Sequence, residues 1–157
     1  MSNQQISELS ALLSESHTRT HQLFNKVDPE LIIYADPDWR VLDVIWHIAV
    51  WDRQVTRSIE AFQAGGEYAI PDFDEQSFNQ ATVQECQELS QEQVIKGSNQ
   101  ARQGFISAVE RFNADQLEVE FLYPWGDEMG NIIQLVNYMV EHDEEHRQEI
   151  NSSTGQQ

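Results

Sequence analysis

Only nine of the 157 residues are lysine or arginine, against 27 aspartates and glutamates, for a formal charge of −18. A surface so poor in cations repels polyphosphate and gains nothing from counterion release, so nucleic acid is not an expected partner. An anionic membrane surface is disfavoured for the same reason. Long apolar runs are also missing. The longest, Val44 to Trp51, is interrupted by His47 and is far too short to span a bilayer. The one cysteine, Cys86, has no partner for an internal disulfide, which fits a reducing compartment. Met1 to Gln5 carries no basic segment leading into an apolar core, so no secretory signal is expected and the cytoplasm is the expected location. There is no internal repeat, no glycine-rich phosphate loop, no Gly-x-Ser-x-Gly elbow and no Cys-x-x-Cys pair.

What is present is helical. With 39% hydrophobic residues, including four tryptophans and seven phenylalanines, the chain suits one globular domain over residues 1–157. Apolar spacing predicts a first helix over about 6–27, stopped by Asp28-Pro29, and a second over about 41–64, ended by Gly65-Gly66. A short helical stretch is expected around 75–87. Ser90 and Gln93 form a capping-box pattern that opens a helix to about 112, with Gly97 and Gly104 as weak points. Asn131 and Gln134 open the last helix, to about 151. Strand patterns are scarce; residues 117–123 alternate only briefly. The expected fold is an all-α four-helix bundle in up-down-down-up order, with a long crossover between the second and third long helices.

His142 and His146 stand one helical turn apart and project side by side, a two-nitrogen grip for a divalent metal. Both fall in the apolar sector of their helix, where two adjacent imidazoles need polar partners. The remaining acids of that helix are expected to face outward. The run His142-Asp143-Glu144-Glu145-His146 lacks the zincin glutamate, since Asp143 holds its position. It does match the H-x-x-E-H pattern, but only eleven residues follow His146, so a third ligand must come from upstream. His47 sits about 10 Å into the second helix, at ~1.5 Å per residue, and the pair lies about 10 Å from the end of the last one. Antiparallel neighbours would bring all three into one layer. His47 is then on the margin of its apolar stripe, roughly 85° from the centre. The similar pair His17 and His21 is read differently: His21 as solvated, His17 as solvated or pocket-lining, with a small prospect of a fourth ligand. Glu145 and Glu149 are candidate general bases or orienters of the metal ligands, against the plainer reading of solvated acids. Asp43 is either the orienter of His47 or a first-turn helix acid. Trp51 and Tyr138 are candidate pocket residues.

Three segments, taken in order, resemble the DinB/YfiT-like superfamily of metal-binding four-helix bundles over most of the chain. They are Trp39 to Asp43 leading to His47 and Trp51-Asp52; Tyr123-Pro124-Trp125-Gly126; and Glu141 to Ile150. The resemblance implies one divalent ion on His47, His142 and His146, with open positions for water or substrate, and commonly a homodimer. Zinc is the first expectation for the ion and nickel the second. Related proteins include transferases and isomerases that use low-molecular-weight thiols, and some hydrolases. The implied activity is metal-dependent attack by a thiol or water on a small electrophilic substrate. A binding or sensing protein with the same site, and a metal-free bundle, are the alternatives. The chain departs from the family at Arg40, where Ser or Thr usually caps the helix; Asp38 is the expected substitute.

Overall fold

The computed structural model describes residues 2–155. Among the described residues, five α-helices carry the fold: α1 Ser2–Phe24, α2 Val41–Gln63, α3 Glu75–Gln87, α4 Gln91–Glu110 and α5 Ile132–Ser153. Two small antiparallel pairs, β1 Ile32–Tyr34 with β2 Trp39–Arg40 and β3 Phe121–Leu122 with β4 Met129–Gly130, fill the loops before α2 and α5. The all-α expectation holds at the level of class, with these hairpins added. α1 stops at Phe24, short of the expected residue 27, and Asn25 to Val27 continue only as turns.

Local chemistry sets the helix starts. Ser90 Oγ accepts from Gln93 N and the Gln93 side chain accepts from Ser90 N; Asn131 and Gln134 repeat the arrangement. Asp74 caps α3 through Ser77 N. At α2 the expected cap, Asp38, is not used. Arg40 is the N-cap residue, and Asp43 reaches back to accept from the Arg40 amide at 2.8 Å and from its guanidinium at 2.9 Å. Arginine thus replaces the usual hydroxyl by holding the acid that satisfies its own backbone.

The first three turns of α2, residues 41–52, are buried on every side. α3, α4, α5 and the β1–β2 hairpin all cover it, so the margin of its apolar stripe is interior too. Along α2 and α4, contacts ascend together. Trp46 abuts Gly97, Asp52 meets Arg102, and Gln63 bonds the Ala108 carbonyl. Along α1 and α4 they run oppositely, Leu13 to Arg102 and His17 to Asn99.

The two α4 glycines differ. A Cβ on Gly97 would stand 2.6 Å from Trp46 Cζ3, on a ring already clasped by Glu85 and covered by Arg53, whereas Gly104 faces open space. Gly104→Ala is therefore expected to stabilise the fold by up to ~1 kcal/mol through helix propensity. Gly97→Ala should instead lose about 1–3 kcal/mol to overpacking. Urea unfolding midpoints of the two variants, moving in opposite directions, check this.

Candidate metal centre

α5 presents two pairs, each with i,i+4 spacing and one residue out of phase. His142 and His146 face α2; Asp143 and Arg147 face α1 and α4. The ~100° step between residues separates the two stripes. α2 does the same with His47 and Trp51 on one stripe and Asp52 beside them.

The result is convergence of three imidazoles. His142 Nε2 lies 3.3 Å from His47 Nε2 and 3.1 Å from His146 Nε2, and one ligand atom from each ring falls within 4.8 Å of the others. Nitrogens held ~2.0–2.1 Å from a tetrahedral zinc are separated by about 3.3–3.4 Å, and two of the three nitrogen separations here lie near that value. Hydrogen bonding among the rings cannot satisfy it. His142 Nε2 has two neighbours and, in a neutral ring, one lone pair or one proton to offer. A cation accepts all three lone pairs.

Burial favours the neutral form of each ring. Desolvation, then the neighbouring His146 and His142, holds His47 well below the ordinary histidine range; His142 is lowered to about 4 by desolvation and His146, and His146 is lowered chiefly by desolvation. Glu149 Oε1 lies 2.8 Å from His146 Nδ1, off the ideal N–H direction, while the Nδ1 atoms of His47 and His142 have no partner among the described residues. The carboxylate is close to His146 Nδ1 without the geometry of a hydrogen bond, and its charge favours the tautomer with the proton on Nδ1 and Nε2 free as a ligand. If the site takes up a divalent ion, Glu149→Gln should weaken that binding roughly 10–100-fold, measured with zinc as the probe by competition with a chromogenic chelator.

Behind the histidines lies a polar core with little local signal in the sequence. Arg102 uses all five N–H donors: two to Asp52, two to Asp143 and one to the Leu13 carbonyl, at 2.8–3.2 Å. Ser16 Oγ donates to Asp143, and Arg147 donates to Ser16 and Thr20. All four long helices meet there. Burial pushes the Asp52 carboxyl up to about 6 against the pull of Arg102. Burial acts in the same sense on Asp143, but Arg102 and Ser16 outweigh it and hold that carboxyl down. Asp143, expected to face outward, is fully buried, because its helix stripe points at Arg102.

The histidines form the floor of a cavity of about 530 Å3, also lined by Trp51, Tyr138, Glu145 and Glu149. His17 does not line it. His17 Nε2 is 2.8 Å from Asn99 Oδ1 and His21 Nε2 is 3.0 Å from Ser98 Oγ, so both rings address α4. His21 is half-buried, not solvated. Asp43 is committed to Arg40 and does not orient His47. Sequence reasoning missed more than half of the cavity lining: Tyr34 and Trp39 from the β1–β2 hairpin, and Phe73, Glu75, Asn79, Trp125, Asp127 and Met139 from later segments; the Trp39 ring stands edge-on to His47 at 5.2 Å. The available signal was the motif itself for Trp39 and Trp125, which lie in the Trp39–Asp43 and Tyr123–Gly126 segments, and proximity to Trp39 for Tyr34.

The family model described as the DinB superfamily matches residues 12–150. The chain belongs to the DinB superfamily. No curated protein matches it. Within this DinB chain, the three histidines form a possible metal site on the two helices where the motif residues lie. Among the described residues, no helix is long and apolar enough to cross a membrane.

Proposed function

We propose that this DinB protein is a metal-dependent enzyme that directs a low-molecular-weight thiol or a water molecule against a small electrophilic substrate. The observation that carries this reading is the packing of three Nε2 atoms, 3.1 and 3.3 Å between neighbours, at the floor of an open cavity. A divalent ion there, zinc first and nickel second, would supply Lewis acidity and lower the pKa of a coordinated thiol or water. Three neutral ligands leave the ion's charge uncompensated, the pattern of catalytic sites rather than closed structural ones.

The chain's own residues would do the rest. His47, His142 and His146 hold the ion. Glu149 fixes the His146 ring, and Glu145, on the same cavity wall, is the candidate acceptor of the nucleophile's proton. Trp51 and Tyr138 restrict water and shape the substrate space. The four long helices are read as an up-down-down-up bundle, with residues 65–90 as the crossover, supported by the parallel contacts of α2 with α4. A homodimer and a cytoplasmic location belong to the same proposal.

Metal analysis of untagged protein, followed by turnover of electrophiles with a panel of thiols and with water alone, tests it. One ion per chain and turnover lost in His142→Ala are expected. Equal turnover by native protein and variant would refute the catalytic reading.

A further inference from the structure

The cavity before the histidines is walled by aromatic rings in contact. Trp51 meets Phe73 at 5.6 Å and Trp125 at 6.2 Å between centroids, and Trp125 meets Tyr138 at 5.2 Å. Acidic side chains are set among them: Glu75 from the first turn of α3, Asp127 from the β3–β4 turn, and Glu145 and Glu149 from α5. Among the described residues, no lysine or arginine lines the cavity. Burial and then the carboxylates of Glu75, Glu128 and Glu145 raise the Tyr138 hydroxyl pKa, which puts Glu75 and Glu145 within electrostatic reach of that ring. At the floor, His47 is only 4% exposed and its Nδ1 has no partner among the described residues.

Solubility explains acids on a bare helix face but not acids interleaved with an aromatic wall around a concavity of ligand size. Ring faces and carboxylates share one preference. Both attract a cation, and together they repel an anion. Glu149 is engaged with His146, and a divalent ion would push another cation away from the histidines. Glu75 and Asp127, both solvent-exposed, remain to receive it farther out.

We propose that the cavity takes a small molecule bearing an ammonium or guanidinium group, held against Trp125 and Tyr138 by Glu75 and Asp127, with its reactive end toward the histidines. This substrate class rests on the proposed function above, with the three-histidine centre as the reactive end.

The test uses full-length, zinc-loaded protein and calorimetric titration with three probes of similar size: 2-phenylethylammonium, 2-phenylethanol and phenylacetate. The ammonium should bind at least roughly tenfold tighter than the alcohol, and phenylacetate weakest. In the Glu75→Gln/Asp127→Asn double variant, the preference for the ammonium over the alcohol should shrink at least about fivefold. Equal binding of ammonium and alcohol, no saturable binding of the ammonium, or an undiminished preference in the double variant would each overturn the proposal. Zinc content, measured on the same samples, separates the two readings. A cation preference in protein that takes up neither zinc nor nickel sustains this proposal and sinks the metal-enzyme reading. Zinc uptake without a cation preference sinks this proposal alone.

Discussion

His142→Ala is expected to abolish tight zinc binding and, with it, the stabilisation that zinc confers. His142 is the middle ring of the cluster, the one whose Nε2 lies beside both of the others. Its loss leaves only two of the three imidazoles to hold an ion, so the affinity loss should exceed the ~10–100-fold typical of removing an outer orienting group. Native protein with free zinc at about 100 times its Kd should gain ~2.7 kcal/mol from linkage, since the unfolded chain offers no assembled site. For a domain of this size that is a rise in Tm of about 5–10 °C. The variant should show almost none. Differential scanning calorimetry with and without zinc reads both values, and far-ultraviolet circular dichroism confirms that the helices remain. A variant that keeps the full zinc-dependent shift would remove His142 from the site.

What the sequence made legible and what it hid follow from the range of the interactions. Ser90 with Gln93 and Asn131 with Gln134 are contacts within one turn, and both capping boxes form as their spacing predicts. The His142–His146 pair is legible for the same reason. The hairpins are not, because strands of two or three residues have no period to detect. His17–His21 shows where spacing stops being informative. It has the separation of the metal pair but faces Asn99 and Ser98, a difference decided by what stands across the interface. Asp143 is the sharpest case. In an acidic run it resembles a solvated face, yet its partner Arg102 lies 41 residues upstream, and no local pattern announces a pairing at that distance.

Arg102→Met tests that hidden pairing, and its effect should be the largest of any substitution away from the histidines. Methionine fills much of the space but leaves Asp52 and Asp143, both buried, facing each other with no cation between them. Removing one partner of a buried ionic cluster typically costs ~3–5 kcal/mol, a large part of the ~5–15 kcal/mol that holds a domain folded. The urea midpoint should fall accordingly at little-changed m-value. Arg102→Lys should fall in between, because an ammonium keeps the charge but cannot serve two carboxylates and the Leu13 carbonyl through five fixed donors. The triple change Asp52→Leu/Arg102→Met/Asp143→Leu should recover most of the loss, since an apolar cluster owes no desolvation. Its zinc affinity is the more telling readout. If the ionic cluster serves mainly to set the rotation of α5, the triple variant will be stable yet bind zinc more weakly than native protein, because the stripe that turns His142 and His146 toward His47 is no longer pinned. If stability and affinity recover together, shape alone orients the histidines and the buried charges add nothing to the site.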